Sequence, residues 1–408
     1  MANTILLINH YAGSLRHGME FRPYYLARHW VRMGYRVIIA AASFSHVRQT
    51  NPRMRGCEQR ETIDGITYVW LRTPAYRGNG VGRVLNMLVF TWRLLWRWRA
   101  LADREDLLAV ISSSTYPLDI YPAARIARRA RAHLIFEVHD LWPLSPIELG
   151  GYARSHPFIV LLQGAENYAY RRAAHVVSML PKALPYMMEH GLEPAKFVHI
   201  PNGVEPAMHD ASGMLSEEVA PLLPPAGSFL VGYAGTIGIA NALDALVEAA
   251  ALLQETPEIR FAIVGDGPEL GRLQGEARAH DLHNLNFIGR IEKGQVPAML
   301  ARFDVCYIGL KAESLFRFGV SPNKLFDYML AARPVLQAIS AGNDPVGAAG
   351  CGISVEPENP RAIADAILSF YHMSPEERRR LGENGRRYVL VHHTYDKLAK
   401  QFAELFRD

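Results

Sequence analysis

The residues that could do chemistry are densest between Phe316 and Val335. Within six positions the chain places a loop break at Pro322, an Asn at 323, a cation at Lys324 and a carboxylate at Asp327. Gly319 and Pro322 interrupt any regular pattern, and a helix fits from Lys324 onward, with Leu325, Met329 and Ala332 on one face and Pro334 beyond its end. Asn323 is the expected N-cap. A helix start exposes unpaired N–H groups and partial positive charge, and Lys324 adds a full charge at the same place. That combination suits a diphosphate. One turn on, Asp327 offers acceptor oxygens to the hydroxyls of a ribose. The competing reading of the segment alone is an ordinary helix start carrying a solvated lysine.

Pro-Asn-Lys-Leu-Phe-Asp-Tyr-Met, residues 322–329, resembles the nucleotide-diphosphate loop and helix of family-4 glycosyltransferases, retaining enzymes of the two-domain GT-B fold. The likeness is greatest to the branch that builds bacterial surface polysaccharides. It implies that Asp327 holds the nucleotide ribose, while Pro322, Asn323 and Lys324 hold the diphosphate. Further loops fit the same family. Gly235-Thr-Ile-Gly238 ends a strand as a phosphate-ready turn, with a helix expected from about Asn241. Gly265-Asp-Gly267 and Gly289-Arg-Ile291 also end strands, and the resemblance places Gly265, Gly267, Arg290 and Ile291 around the base. In the first half, the loop after the first strand contains Gly13, Arg16, His17 and Gly18. It is similar to the family loop that closes over donor phosphate and acceptor. Gly13 is thus expected on the donor side and Arg16 and His17 on the acceptor side, with Arg22 in reach of an acceptor phosphate. His139-Asp140-Leu-Trp-Pro is similar to the loop in which a His or its neighbour touches the transferred sugar, so His139 and Asp140 join Lys324 as catalytic candidates. Four positions depart from the family pattern: Thr236 and Asn241 stand where basic residues are common, Gly319 where a Glu is, and the helix carboxylate is Asp327 where Glu is common.

These loops need a scaffold that brings strand ends together. Short apolar runs alternate with helical patterns: Ile5–Ile8, Val37–Ala41, Ile66–Leu71, Ala109–Ser112, Leu134–Val138, Val176–Met179 and Val198–Ile200. The alternation restarts at Phe229 and continues through Phe261–Val264, Leu285–Ile288 and Val305–Ile308. Strand–helix alternation predicts an α/β fold of doubly wound parallel sheets, with ligands at the carboxyl ends of the strands. A chain of 408 residues predicts two domains. The resemblance implies GT-B: a Rossmann-like acceptor domain over 1–205, a Rossmann-like nucleotide-sugar domain over 206–385, and a C-terminal helix over 386–408 that returns to the first.

Charge divides the same way. Residues 1–200 carry 25 Lys and Arg against 14 Asp and Glu, whereas residues 201–408 carry 19 against 26. A basic first half suggests an anionic partner. No nucleic-acid module accompanies it, so a membrane surface or a phosphate-bearing acceptor is the better expectation. Arg83–Arg99 is the candidate contact. On a helix Arg83, Asn86, Arg93 and Arg97 share one narrow stripe, while most of the remaining face is apolar, with Leu85, Leu88, Val89, Trp92, Leu95, Trp96 and Trp98, and Arg99 as the exception. The alternative is a core helix packed on the sheet. Its uncharged run is far too short to span a bilayer. Cys57, Cys306 and Cys351 stand apart in no metal or disulfide spacing, and are expected as buried thiols in a reducing compartment. Met1-Ala-Asn-Thr runs into the first strand without a basic flank, which argues against a secretory leader and for a cytoplasmic protein.

The expectation is a retaining glycosyltransferase using a nucleotide-diphosphate sugar, a UDP-sugar first, and a lipid-linked or envelope glycan acceptor. No metal or other cofactor is expected, since the chain has no Asp-x-Asp motif. The rivals are a nucleotide-sugar 2-epimerase of the same fold and a non-catalytic sugar-nucleotide-binding protein.

Overall fold

The computed structural model describes residues 3–78, 80–103, 106–210, 213–225 and 227–407. The chain divides into two compact units, residues 1–202 with 395–408, and residues 203–394. The break after Asn202 falls within Pro201-Asn-Gly-Val-Glu205, and residues 386–394 stay with the second unit.

The first unit holds an eight-stranded sheet: β1 (Thr4–Ile8), β2 (Arg36–Ala42), β3 (Glu58–Ile63), β4 (Ile66–Leu71), β5 (Leu107–Ser112), β6 (His133–Val138), β7 (His175–Ser178) and β8 (Phe197–His199). Their order is β3-β4-β2-β1-β5-β6-β7-β8. All neighbours are parallel except β3 and β4. β1 is buried along its whole length, as a strand covered on both faces must be. The strand not expected from sequence is β3, Glu-Gln-Arg-Glu-Thr-Ile, which has no fully buried residue. It is an edge strand held by backbone pairing to β4, so it carries no apolar signal. The topology reverses between β1 and β5, and the loops that follow these strands meet there. Asn9 Nδ2 donates to the Ser113 carbonyl at 2.6 Å, and the His10 amide to Ser114 Oγ at 2.9 Å.

The second unit has a six-stranded parallel sheet: β9 (Phe229–Ala234), β10 (Ile259–Val264), β11 (Leu285–Gly289), β12 (Val305–Gly309), β13 (Val335–Ala338) and β14 (Gly352–Val355), ordered β11-β10-β9-β12-β13-β14. Here the order reverses between β9 and β12. The helix expected from Asn241 begins only at Asp244, after a 3-10 turn over Ile239–Asn241.

The helix Asn323–Leu330 buries Leu325, Phe326, Tyr328, Met329 and Leu330. Burial of Leu325 and Met329 is worth about 1.5–3 kcal/mol each and fixes the face the helix presents. Asn323 is not its cap. It is the first helical residue, Pro322 takes the N-cap position, and no side chain caps the end. Ala332 lies past the helix with φ 53°, so it does not extend the apolar face.

The helix Tyr395–Glu404 packs on the helix Arg22–Arg32 of the first unit. Trp30 Nε1 donates to the Ala399 carbonyl at 3.0 Å, and the Trp30 ring meets Phe402 and Phe406 edge-on.

The helix Val81–Ala102 is packed on one side and exposed on the other. Met87, Phe90, Thr91 and Leu94 are buried, and the helix packs against the helix Ile120–Ala130. Asn86, expected in the polar stripe, is buried with them and donates to the Pro74 carbonyl. The apolar residues on the other side remain in solvent, with Leu88 41%, Trp92 57% and Trp96 70% exposed. Among the described residues no helix is long and apolar enough to cross a membrane. Cys306 and Cys351 are buried, but Cys57 is exposed beside Arg93, which lowers its thiol pKa.

Candidate active site

The second unit gathers its polar groups at the switch point between β9 and β12. The loops after β9 and β10 are laced together. The Gly235 amide donates to the Val264 carbonyl at 2.9 Å, that of Ile237 to Asp266, and that of Gly265 to Gly289 at 2.8 Å. This closeness demands glycine at 265. Its φ is +143°, and a Cβ there would stand 1.8 Å from the Gly235 oxygen.

Lys324 points back from the helix start into this lacing. Its Nζ donates to Tyr233 Oη and to Asn241 Oδ1, both at 2.6 Å, and lies 4.5 Å from the centre of the Tyr233 ring. Tyr233 and Asn241 both donate in turn to the Thr236 carbonyl, at 2.6 and 3.1 Å. The ammonium is half-buried and has neutral partners, so desolvation lowers its pKa to about 7. Asn241, where the family commonly has a base, therefore anchors Lys324 instead of adding a second charge. Tyr328, from the same helix, fastens it to β9 by exchanging hydrogen bonds with both the amide and the carbonyl of Ala234.

Asp327 lies on the outward face of the helix. Protein packed around its carboxyl pushes the pKa up to about 6, with the Lys293 charge opposing. Water still reaches Asp327, which moderates that effect. Thr236, Asn323 and Arg290 are exposed, while Gly267, Ile291 and Pro322 are partly covered. Gly235, Thr236, Gly265, Gly267, Asn241 and Lys324 thus form one connected set, and this set can receive an anion.

In the first unit the candidates fall into two groups. The loop after β1 is folded on itself rather than open. The Gly13 amide donates to the Glu20 carbonyl at 2.8 Å, and Tyr68 Oη to the Gly13 carbonyl at 2.7 Å. Buried Arg48 clamps the loop through the carbonyls of Ala12 and His10. His17 is buried against Trp70, with Glu61 at 3.5 Å. Burial lowers its pKa and Glu61 opposes. Arg16 remains exposed, paired with Glu61.

The second group surrounds Glu137, a fully buried carboxylate that the sequence reading missed. Arg22 is 1% exposed, and its Nε donates to Glu137 Oε1 at 2.9 Å. Its remaining nitrogens bond the carbonyls of Ile200 and Pro201. Arg22 is therefore not presented to an acceptor phosphate. Ser113 Oγ donates to Glu137 Oε2 at 2.5 Å, and His139 Nε2 lies 3.0 Å from Ser113 Oγ and 3.3 Å from Glu137 Oε2. Because the Ser113 proton is committed to Glu137, the His139 nitrogen facing Ser113 Oγ, Nε2, is the one that carries a proton. Burial would raise the Glu137 pKa, but Arg22, His139 and Ser113 hold it well below the usual carboxylate range. Asp140 is raised by burial, against His139 and Ser145. A signal was present: Glu137 and His139 are two residues apart at the end of β6, so they share a face. Among the described residues, no cluster of three or more His, Cys, Asp and Glu is arranged to hold a metal.

Comparison with known proteins agrees with this architecture. Residues 17–203 match the glycosyl transferase 4-like domain, and residues 216–388 match glycosyl transferases group 1. The chain is 28% identical over 244 residues to a putative colanic acid biosynthesis glycosyl transferase, WcaI, of Escherichia coli. That match spans 58% of this chain and 59% of the relative. Sucrose-phosphate synthase from Thermosynechococcus elongatus superposes with TM-score 0.73 at 18% identity, covering 99% of this chain and 98% of the other. The Anabaena protein HepE in complex with UDP and glucose gives TM-score 0.66 at 16% identity, covering 98% of each chain. The two matched domains account for most of the sequence, both sheets are Rossmann-like, and the chain belongs to the family-4 type glycosyltransferases of GT-B fold.

Proposed function

We propose that the protein is a retaining glycosyltransferase that moves a sugar from a nucleotide-diphosphate sugar, a UDP-sugar first, to a lipid-linked or envelope glycan acceptor. The observation that carries this reading is the half-buried Lys324 ammonium, held by Tyr233 and Asn241 beside the glycine-rich strand ends. In the reaction the bond between the anomeric carbon and the donor oxygen breaks, and its electron pair leaves with the diphosphate. The acceptor hydroxyl oxygen bonds the anomeric carbon on the same face, and its proton passes to the departing diphosphate. Such a step needs positive charge on the leaving phosphates and oriented dipoles around the sugar. Lys324 and the amides at 323–324 supply the first, so no metal is required.

In this reading Asp327 takes the ribose, Gly265, Gly267, Arg290 and Ile291 surround the base, and Gly235 and Thr236 flank the phosphates. His139 meets the transferred sugar and Asp140 borders it, Gly13 lies toward the donor, and Arg16 and His17 lie toward the acceptor. Arg22 acts by holding Glu137. The UDP complex of the Anabaena protein supports uridine as the base, and the colanic acid relative supports a surface-glycan acceptor. The exposed face of Val81–Ala102 supports work on the cytoplasmic surface of a membrane.

A mass-spectrometric binding screen of nucleotide sugars, followed by product analysis with the tightest binder, tests the proposal. A glycoside with retained anomeric configuration is expected. An epimerised sugar, or tight binding without turnover across acceptors, would replace the proposal with one of its two rivals.

A further inference from the structure

The first unit has a second concave site, at the end of its sheet opposite the loops described above. It is a groove of about 880 Å³ at the amino ends of β6, β7 and β8. Arg131 and His133 line it where β6 begins, Arg172 just before β7, and Lys196 just before β8, with Arg125 and Arg128 from the helix Ile120–Ala130. Among the described residues no Asp or Glu lines it. β6 has six residues, so the groove lies roughly 15–20 Å from His139 at the other end of that strand.

Part of this charge has a mundane purpose. The helices Ile120–Ala130 and Pro157–Arg172 both end here, with Arg128 and Arg172 in their last turns. Two helix C-termini carry roughly one negative charge between them. Lys196 is paired with Glu193 at 2.9 Å. The four arginines less one helix-end charge leave a surplus of about three positive charges. Arg125 is also held in place, with its guanidinium 4.3 Å from the centre of the Trp98 ring.

What adjoins the groove indicates the ligand. Leu95 lines it, and Leu95 also belongs to the exposed row Leu85, Leu88, Trp92, Leu95 and Trp96. These positions recur at helical spacing along one face, and the rings of Trp92 and Trp96 are stacked at 6.0 Å. An apolar, Trp-bearing ridge continuous with a multiply cationic groove is complementary to one kind of molecule, an anionic lipid with its acyl chains beside its phosphate.

We propose that the groove binds the phosphate headgroup of an anionic membrane lipid, while Leu88, Trp92 and Trp96 enter the interfacial layer. This rests on the membrane-surface reading above and names its ligand.

Flotation with phosphatidylcholine vesicles, with and without phosphatidylglycerol, is compared for wild type, Arg128→Ser/Arg172→Ser and a control pair, Arg53→Ser/Arg55→Ser, after thermal melts confirm that each folds. Both pairs remove two exposed charges. The groove pair should weaken binding to phosphatidylglycerol vesicles about thirty-fold, and the control pair only a few-fold. Equal loss in the two pairs would mean diffuse attraction and overturn the proposal. Calorimetry with monomeric short-chain phosphatidylglycerol, with inorganic phosphate as competitor, separates the groove from docking. Binding lost in the groove pair supports the site even if wild type fails to float. Flotation without short-chain binding leaves docking in place and rejects the groove. Displacement by inorganic phosphate at equal concentration would make the ligand a free anion and reject the lipid.

Discussion

Lys324 makes the donor site sensitive to pH in a direction that can be worked out. Its pKa is about 7 in the free protein, because desolvation opposes the charge and its partners Tyr233 and Asn241 are neutral. A bound diphosphate favours the ammonium, so the pKa rises on binding and the complex takes up a proton above neutrality. Each pH unit above the free-state pKa then costs about 1.36 kcal/mol of affinity. Between about pH 7.5 and about pH 9 the Kd for UDP should rise twenty- to thirty-fold. Asp327, at about 6, has finished titrating below this window. Lys293 faces Asp327 and can add a slope of its own, so the variant is essential. In Lys324→Met the extra pH dependence should vanish, and affinity at neutral pH should fall by roughly 2–5 kcal/mol, the range for removing one partner of a buried hydrogen-bonded charge pair. Calorimetry in buffers of different ionisation enthalpy reads both the Kd and the proton uptake. A wild-type Kd that is flat across the window, or an unchanged slope in Lys324→Met, would refute the reasoning.

Three further outcomes are expected. Asp327→Ala should raise the donor KM at least tenfold, while Asp327→Glu retains much of the activity; silence of both would remove Asp327 from the ribose site. Glu137→Ala should destabilise the first unit by about 3–5 kcal/mol in urea melts, since it strands the buried Arg22. The Arg22→Met/Glu137→Leu pair should cost far less than the sum of the single variants, and additive losses would show that the two do not act as a pair. Gly265→Ala should abolish UDP binding or lower the Tm, because its Cβ would meet the Gly235 oxygen; a variant that binds UDP like wild type would mean that the loops are not tightly laced.

Local patterns were enough for much of this protein. The apolar runs of β1, β2 and β4–β7 marked buried parallel strands, because burial on both faces requires unbroken hydrophobic sequence. Pro322-Asn-Lys324 marked a helix start, since proline and glycine interrupt structure at fixed places. The row from Leu85 to Trp96 marked an apolar face, since helical spacing is local. Other features depend on partners far along the chain. β3 exists because β4 pairs with it, and its polar side chains gave no sign of that. Arg22 looked like a ligand-binding residue until its ion pair with Glu137, 115 positions away, turned it inward. Lys324 was legible as a cation, but its depressed pKa comes from desolvation by packing that includes Tyr233 and Asn241, 91 and 83 positions earlier. Residue type and spacing determine which groups are available and which elements carry them. Charge state and exposure are set by the low-dielectric surroundings that distant segments build, and those exist only once the sheets have formed.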